Sequence, residues 1–70
     1  MKTWVRDGYK VVEKPFDGDL HIFDVIRDNG ELIDTIIPAT IKDMKAIIKD
    51  LDNGDCVDGW ENGSGSTIRI

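Results

Sequence analysis

Three features of this 70-residue chain predict an α+β fold, an antiparallel sheet of four or five short strands with one helix packed on one face. Asp7-Gly8 and Asn29-Gly30, two dipeptides suited to hairpin turns, each separate stretches rich in strand-forming residues. A third stretch, from about Ile41 to Leu51, repeats its apolar residues at helical spacing. The expected order is β-β-β-α-β, with room for an extra N-terminal strand, in a single domain over residues 1–70.

At the N-terminus, Thr3 to Arg6 and Tyr9 to Lys14 flank Asp7-Gly8. A two-residue loop there sets Trp4 against Val11, and the indole becomes one of the largest buried side chains available to the core. The alternatives are one bulged strand across Asp7-Gly8, or a frayed start before a strand at Tyr9 to Glu13. Pro15 is expected to end the strand, because proline lacks the amide hydrogen that a ladder uses. Phe16-Asp17-Gly18-Asp19 then turns the chain into the central hairpin.

That hairpin pairs Leu20–Arg27 with Glu31–Ile37 around Asp28-Asn29-Gly30. Two registers are open. A two-residue loop sets Ile26 opposite Ile33 and Ile22 opposite Ile37, and puts Asp24 and Asp34 on different faces. A three-residue loop with a bulged glycine sets Arg27 opposite Glu31 and Asp24 opposite Asp34. The second is preferred, because it gathers Phe23, Val25, Ile33, Thr35 and Ile37 on one face and keeps both aspartates on the other. The aspartate face then also carries Ile22, Ile26, Leu32 and Ile36. A sheet apolar on both sides is usually covered on both sides, and one helix covers only one.

Pro38-Ala39-Thr40 stops the strand and offers Thr40 as N-cap, with Asp43 three residues on. Ile41, Met44, Ile48 and Leu51, with Ile47 beside them, form the stripe expected to pack on the sheet. Lys42, Lys45 and Lys49 share the outer face, and Asn53-Gly54 is a stop signal. After the helix and the Gly-Ser run 63–66, Thr67-Ile68-Arg69-Ile70 is strand-like. It is expected either to join the sheet or to form a small hairpin with the segment around Trp60.

The formal charge is −5, and it is unevenly placed. Residues 1–14 are mildly basic, whereas residues 17–34 carry six carboxylates against Arg27, and residues 50–61 carry Asp50, Asp52, Asp55, Asp58 and Glu61 with no base. Such a balance opposes direct binding to nucleic-acid phosphates and suits a basic protein partner. A single cysteine excludes an internal disulfide and fits a reducing compartment. No apolar run reaches the length of a signal peptide core or a membrane helix, so a cytoplasmic protein that does not engage membranes is expected.

No motif carries recognisable catalytic chemistry, and no enzyme activity, cofactor or metal is expected. With Asp50 as position one, the 50–61 loop matches an EF-hand at positions three, eight, nine and twelve. Gly54 and Asp55 then reverse the required order of acid and glycine, and no helix follows. Cys56 and His21 each occur once, fewer than a zinc site uses. They read as a small buried thiol and a histidine on a strand surface. Trp60, set between acids and glycines, is either a core plug at the sheet edge or an exposed interface anchor.

The leading expectation is a non-catalytic interaction module, self-associating or binding a protein partner through Ile22, Ile26, Leu32, Ile36 and Trp60. In size and charge the chain resembles small acidic accessory products of bacteria and their phages, some of which inhibit nucleic-acid enzymes by presenting carboxylates in place of phosphates. On that alternative the acidic surface is Asp50, Asp52, Asp55, Asp58 and Glu61. A calcium-responsive module using the 50–61 loop is the third.

Overall fold

The computed structural model describes all residues from 1 to 70. Four antiparallel strands, β1 (Thr3–Arg6), β2 (Tyr9–Asp17), β3 (Leu20–Arg27) and β4 (Leu32–Ile36), form a meander in the order β1-β2-β3-β4, followed by α1 (Ile41–Asp52). The N-terminal hairpin is therefore present. Its register sets Trp4 opposite Val11 and Arg6 opposite Tyr9, around a Gly8 at φ +88°.

Pro15 does not end β2, which continues to Asp17 with Pro15 opposite His21 and a bulge before Asp17. The reason lies in the neighbouring strand. The Glu13 amide donates to the Lys2 carbonyl on the β1 side, so the Pro15 nitrogen, two residues on, also faces that side. By then β1 has run out, and the missing donor costs no ladder bond.

In the central hairpin both registers occur, one after the other. Next to the turn, the Arg27 amide donates to the Glu31 carbonyl and Ile26 lies opposite Leu32, as the three-residue loop requires. A bulge at Ile33 then shifts the pairing by one, so that Val25 faces Asp34, Asp24 faces Thr35 and Phe23 faces Ile36. The expected pairing of Asp24 with Asp34 is thus replaced. Instead of a second carboxylate, Asp24 meets the Thr35 hydroxyl, which donates to it at 2.9 Å. The shift also exchanges the faces of the last residues: Ile36 turns into the core, and Thr35 takes the opposite side.

One cluster forms the core. Trp4, Tyr9, Val11, Phe23, Val25 and Ile36 come from the sheet, Met44 and Leu51 from α1, and Val57 and Ile68 from the C-terminal segment. The Trp4 and Phe23 rings lie 6.0 Å apart at an interplanar angle of 50°, a tilted aromatic pair. Ile47 and Ile48 flank the cluster, whereas Ile41 stays exposed at the end of the expected stripe.

Both ends of α1 are closed as the sequence predicts. The Asp43 amide donates to the Thr40 hydroxyl at 3.1 Å. At the other end the Gly54 amide donates to the Leu51 carbonyl and the Asp55 amide to the Asp50 carbonyl, with Gly54 at φ +97°, a Schellman closure. Arg6 reinforces it from β1, donating to the Leu51 carbonyl at 2.6 Å and the Asp55 carbonyl at 3.0 Å. A cation at this end also complements the helix dipole.

The C-terminal residues do not add a fifth strand. They make the small hairpin: Glu61 bridges Thr67, and the Ile68 amide donates to the Trp60 carbonyl at 2.7 Å. Asn62 fastens this hairpin to β4. Its carbonyl accepts from the Ile37 amide, and its side-chain nitrogen donates to both Asp34 carboxylate oxygens at 3.1 Å. Asn62 Oδ1 accepts from the Ser64 and Ser66 amides at 2.7 and 3.2 Å.

Candidate interaction surfaces

Because α1 and the C-terminal hairpin pack on the same side of the sheet, the opposite side carries no covering element. Strand alternation and the register place three rows there. One is Thr3, Val12, Asp24 and Thr35; the next is Val5, Lys10, Ile26 and Leu32; the third includes Lys14 and Ile22. Val5 is 74% exposed and Leu32 56%, with Val12, Ile22 and Ile26 half-buried between them. Lys14 pairs with the Asp24 carboxylate, so the charge on this face is partly neutralised within it.

Of the residues expected to form an apolar interaction face, the structure brings Ile22, Ile26 and Leu32 together. Ile36 is not among them. At 2% exposure it is a core residue, turned inward by the bulge at Ile33. Val5 and Val12 also belong to the face, a placement that rests on the β1–β2 pairing, which the sequence leaves open. Trp60 lies on the other side of the molecule.

There Trp60 is half-buried, packed against the core yet lining an open groove of about 420 Å³. The groove runs between α1 and the C-terminal hairpin. Its apolar lining is Ile36, Ala46, Ile47 and Trp60, and its charged lining is Asp43, Asp50 and Glu61. A smaller recess continues it toward Pro38 and Ala39. Helical spacing explains the arrangement: Asp43, Ala46, Ile47 and Asp50 fall on one flank of α1, and Lys42, Lys45 and Lys49 on the other.

The acidic surface expected over residues 50–61 is divided. Asp52 accepts from the Trp4 indole at 2.8 Å and pairs with Lys2 at 3.0 Å, and Asp58 accepts from the Ile70 amide at 3.0 Å. Asp50, Asp55 and Glu61 are exposed, and their carboxylates make no hydrogen bond or ion pair. No three His, Cys, Asp or Glu side chains gather where a metal ion would sit.

His21 and Cys56 also differ from expectation. Cys56 is exposed rather than buried, because the post-helix loop puts Val57 inside instead. His21 is half-buried, and its Nδ1 donates to Glu13 Oε2 at 2.6 Å. The second Glu13 oxygen accepts from the Lys2 amide at 3.0 Å.

Burial alone would raise the Glu13 pKa, but the Lys2 amide and His21 outweigh it and hold the carboxyl below its ordinary value. Asp52 is lowered as well, by its bonds to Trp4 and Lys2. A carboxylate whose folded pKa lies below the unfolded one stabilises the fold fully above the unfolded value. That contribution is lost as pH falls through the folded value. Stability is therefore expected to decline on acidification below the ordinary carboxylate values of 4.5 for Glu13 and 3.8 for Asp52. Urea titrations across this range check it: Glu13→Gln should flatten the decline, and an unchanged slope in that variant would rule Glu13 out as a source.

Comparisons with protein-family models, with curated proteins and with solved structures find no match to this chain. No helix is long and apolar enough to cross a membrane.

Proposed function

We propose that this protein is a non-catalytic interaction module that self-associates through the open face of its sheet. The observation carrying this reading is the uncovered apolar patch of Val5, Val12, Ile22, Ile26 and Leu32, on a sheet whose other face holds the core under α1 and the C-terminal hairpin. A second copy is a suitable occupant. A two-fold axis through the patch lays like on like, apolar residues meeting around Lys10, whose exposed ammonium stays in solvent at the end of its stem, and the Lys14 and Asp24 pairs at its side need not separate.

Size sets the expected strength. Four strands spaced about 4.8 Å apart, each contributing about six residues at about 3.3 Å, make a face of roughly 400 Å². Two such faces bury roughly 800 Å², in the range of weak, transient interfaces, which favours micromolar rather than nanomolar association.

Sedimentation equilibrium over a range of concentrations tests the reading. The mass should rise from that of the 7.9 kDa monomer toward twice that value as concentration increases. Leu32→Lys and Val5→Lys, each at a position more than half exposed in the monomer, should hold the mass at the monomer value with the fold intact by circular dichroism. A monomer at every concentration, or an assembly indifferent to both substitutions, would remove self-association through this face.

A further inference from the structure

The groove between α1 and the C-terminal hairpin is separate from the sheet face and has a different chemistry. Its floor and walls are Ile36, Ala46, Ile47 and Trp60, and every ionisable side chain lining it is a carboxylate. Asp43, Asp50 and Glu61 have no cationic partner; Asp17, Asp19 and Asp28 have none either, but they border no apolar groove, whereas these three line one. The nearest bases on α1, Lys42, Lys45 and Lys49, lie on its other flank and face solvent.

From this we infer that the groove is a docking site for a short basic segment of a partner protein, an apolar residue flanked by lysine or arginine. The apolar residue sits against Ile47 and Ala46. The flanking cations meet Asp43 and Asp50 on one wall and Glu61 on the other. Trp60, half-buried and lining the groove, offers a cation an aromatic surface beside Glu61.

Charge complementarity selects this occupant over others. An acidic or phosphorylated segment would face three unbalanced carboxylates, and a purely apolar one would leave them beside a drier surface with no counter-charge. A second copy of this chain fits less well, because its own lysine stripe on α1 has no apolar residue flanked by bases. Lys42, Lys45 and Lys49 alternate instead with residues turned toward the core or the groove.

Titration of the ¹⁵N-labelled protein with the peptide Lys-Lys-Leu-Lys-Lys tests the inference. Shifts are expected at the Trp60 indole and at Asp43, Ala46, Ile47, Asp50 and Glu61, and they should weaken as salt is raised. Lys-Lys-Ser-Lys-Lys should bind more weakly, and Glu-Glu-Leu-Glu-Glu should leave these signals unmoved. Combining Asp43→Asn, Asp50→Asn and Glu61→Gln, all at exposed positions, should weaken binding about tenfold, the sum expected of three partly exposed ion pairs.

No shifts at about millimolar peptide would overturn the proposal, as would equal shifts around Asp17, Asp19 and Asp28, which would show general charge attraction. The triple variant should leave the sedimentation mass unchanged, and Leu32→Lys should leave peptide binding unchanged. A lower mass in the triple variant would show instead that another copy of the chain occupies the groove. Failure of either surface is thus distinguishable from failure of the other.

Discussion

Gly63→Ala is expected to remove a large part of the stability of this protein. A Cβ at position 63 would stand 2.0 Å from the Ile37 carbonyl oxygen and 3.0 Å from its carbon. Both are backbone atoms, and the Ile37 amide is itself tied to the Asn62 carbonyl at 2.8 Å, so neither partner can move without breaking the joint between β4 and the C-terminal hairpin. The φ of +84° adds the ordinary penalty of a left-handed conformation for alanine, about 1 kcal/mol. Together with an overpacking cost of about 1–3 kcal/mol, the loss is about 2–4 kcal/mol. For a chain of this size, total stability is expected to be on the order of 5 kcal/mol.

Gly65 provides the comparison. It has a similar φ, +94°, but a Cβ there meets nothing within 4 Å. Gly65→Ala should therefore cost only about 1 kcal/mol, the conformational part. Urea denaturation of the two variants separates the effects, and equal losses would show that the Ile37 approach is not what Gly63 serves.

Asn62→Ala is expected to cost about 2–4 kcal/mol, a large amount for one polar side chain in a small domain. Asn62 is 6% exposed, and its amide joins the Asp34 carboxylate to the Ser64 and Ser66 amides. Truncation leaves the carboxylate with only the Thr35 amide and leaves two loop amides without an acceptor. The protein holds no buried side-chain nitrogen or oxygen lacking a partner, and the truncation would disturb that balance chiefly at the half-buried Asp34 carboxylate.

Asn62→Asp sharpens the test. It places a second carboxylate beside Asp34, and two carboxylates at that distance do not both ionise cheaply. This variant should be less stable than the alanine variant near neutral pH and should recover relative to it on acidification, as the pair takes up a proton. Parallel stability curves for the two variants would mean that Asn62 and Asp34 do not interact as described.

Neither residue stood out in the sequence. Asn62-Gly63 reads there as part of a polar, glycine-rich loop, and only the fold shows that Ile37 lies against it. Local order was legible where the chemistry is local. Asp7-Gly8 and Asn29-Gly30 supply turns between strand-forming runs, Thr40 caps the helix through the next turn of backbone, and Gly54 closes it. Such features depend on residues a few positions apart, so spacing is enough to read them.

The tertiary structure decided what depends on neighbours distant in sequence. Pro15 stays in β2 because β1 does not extend beside it, a fact about a strand nine to twelve residues away. The bulge at Ile33 follows from Asp24 gaining a hydroxyl partner while Ile36 gains Phe23, and it moves Ile36 off the face to which simple alternation assigned it. Trp60 both packs on the core and lines the groove, so neither single expectation for it describes the residue fully. The sequence by itself determined the central hairpin, the helix and the excess of carboxylates, and it left the N-terminal hairpin open among alternatives. Which apolar side stays open, and which carboxylates stay unpaired, came from long-range packing, where one residue of register exchanges inside for outside.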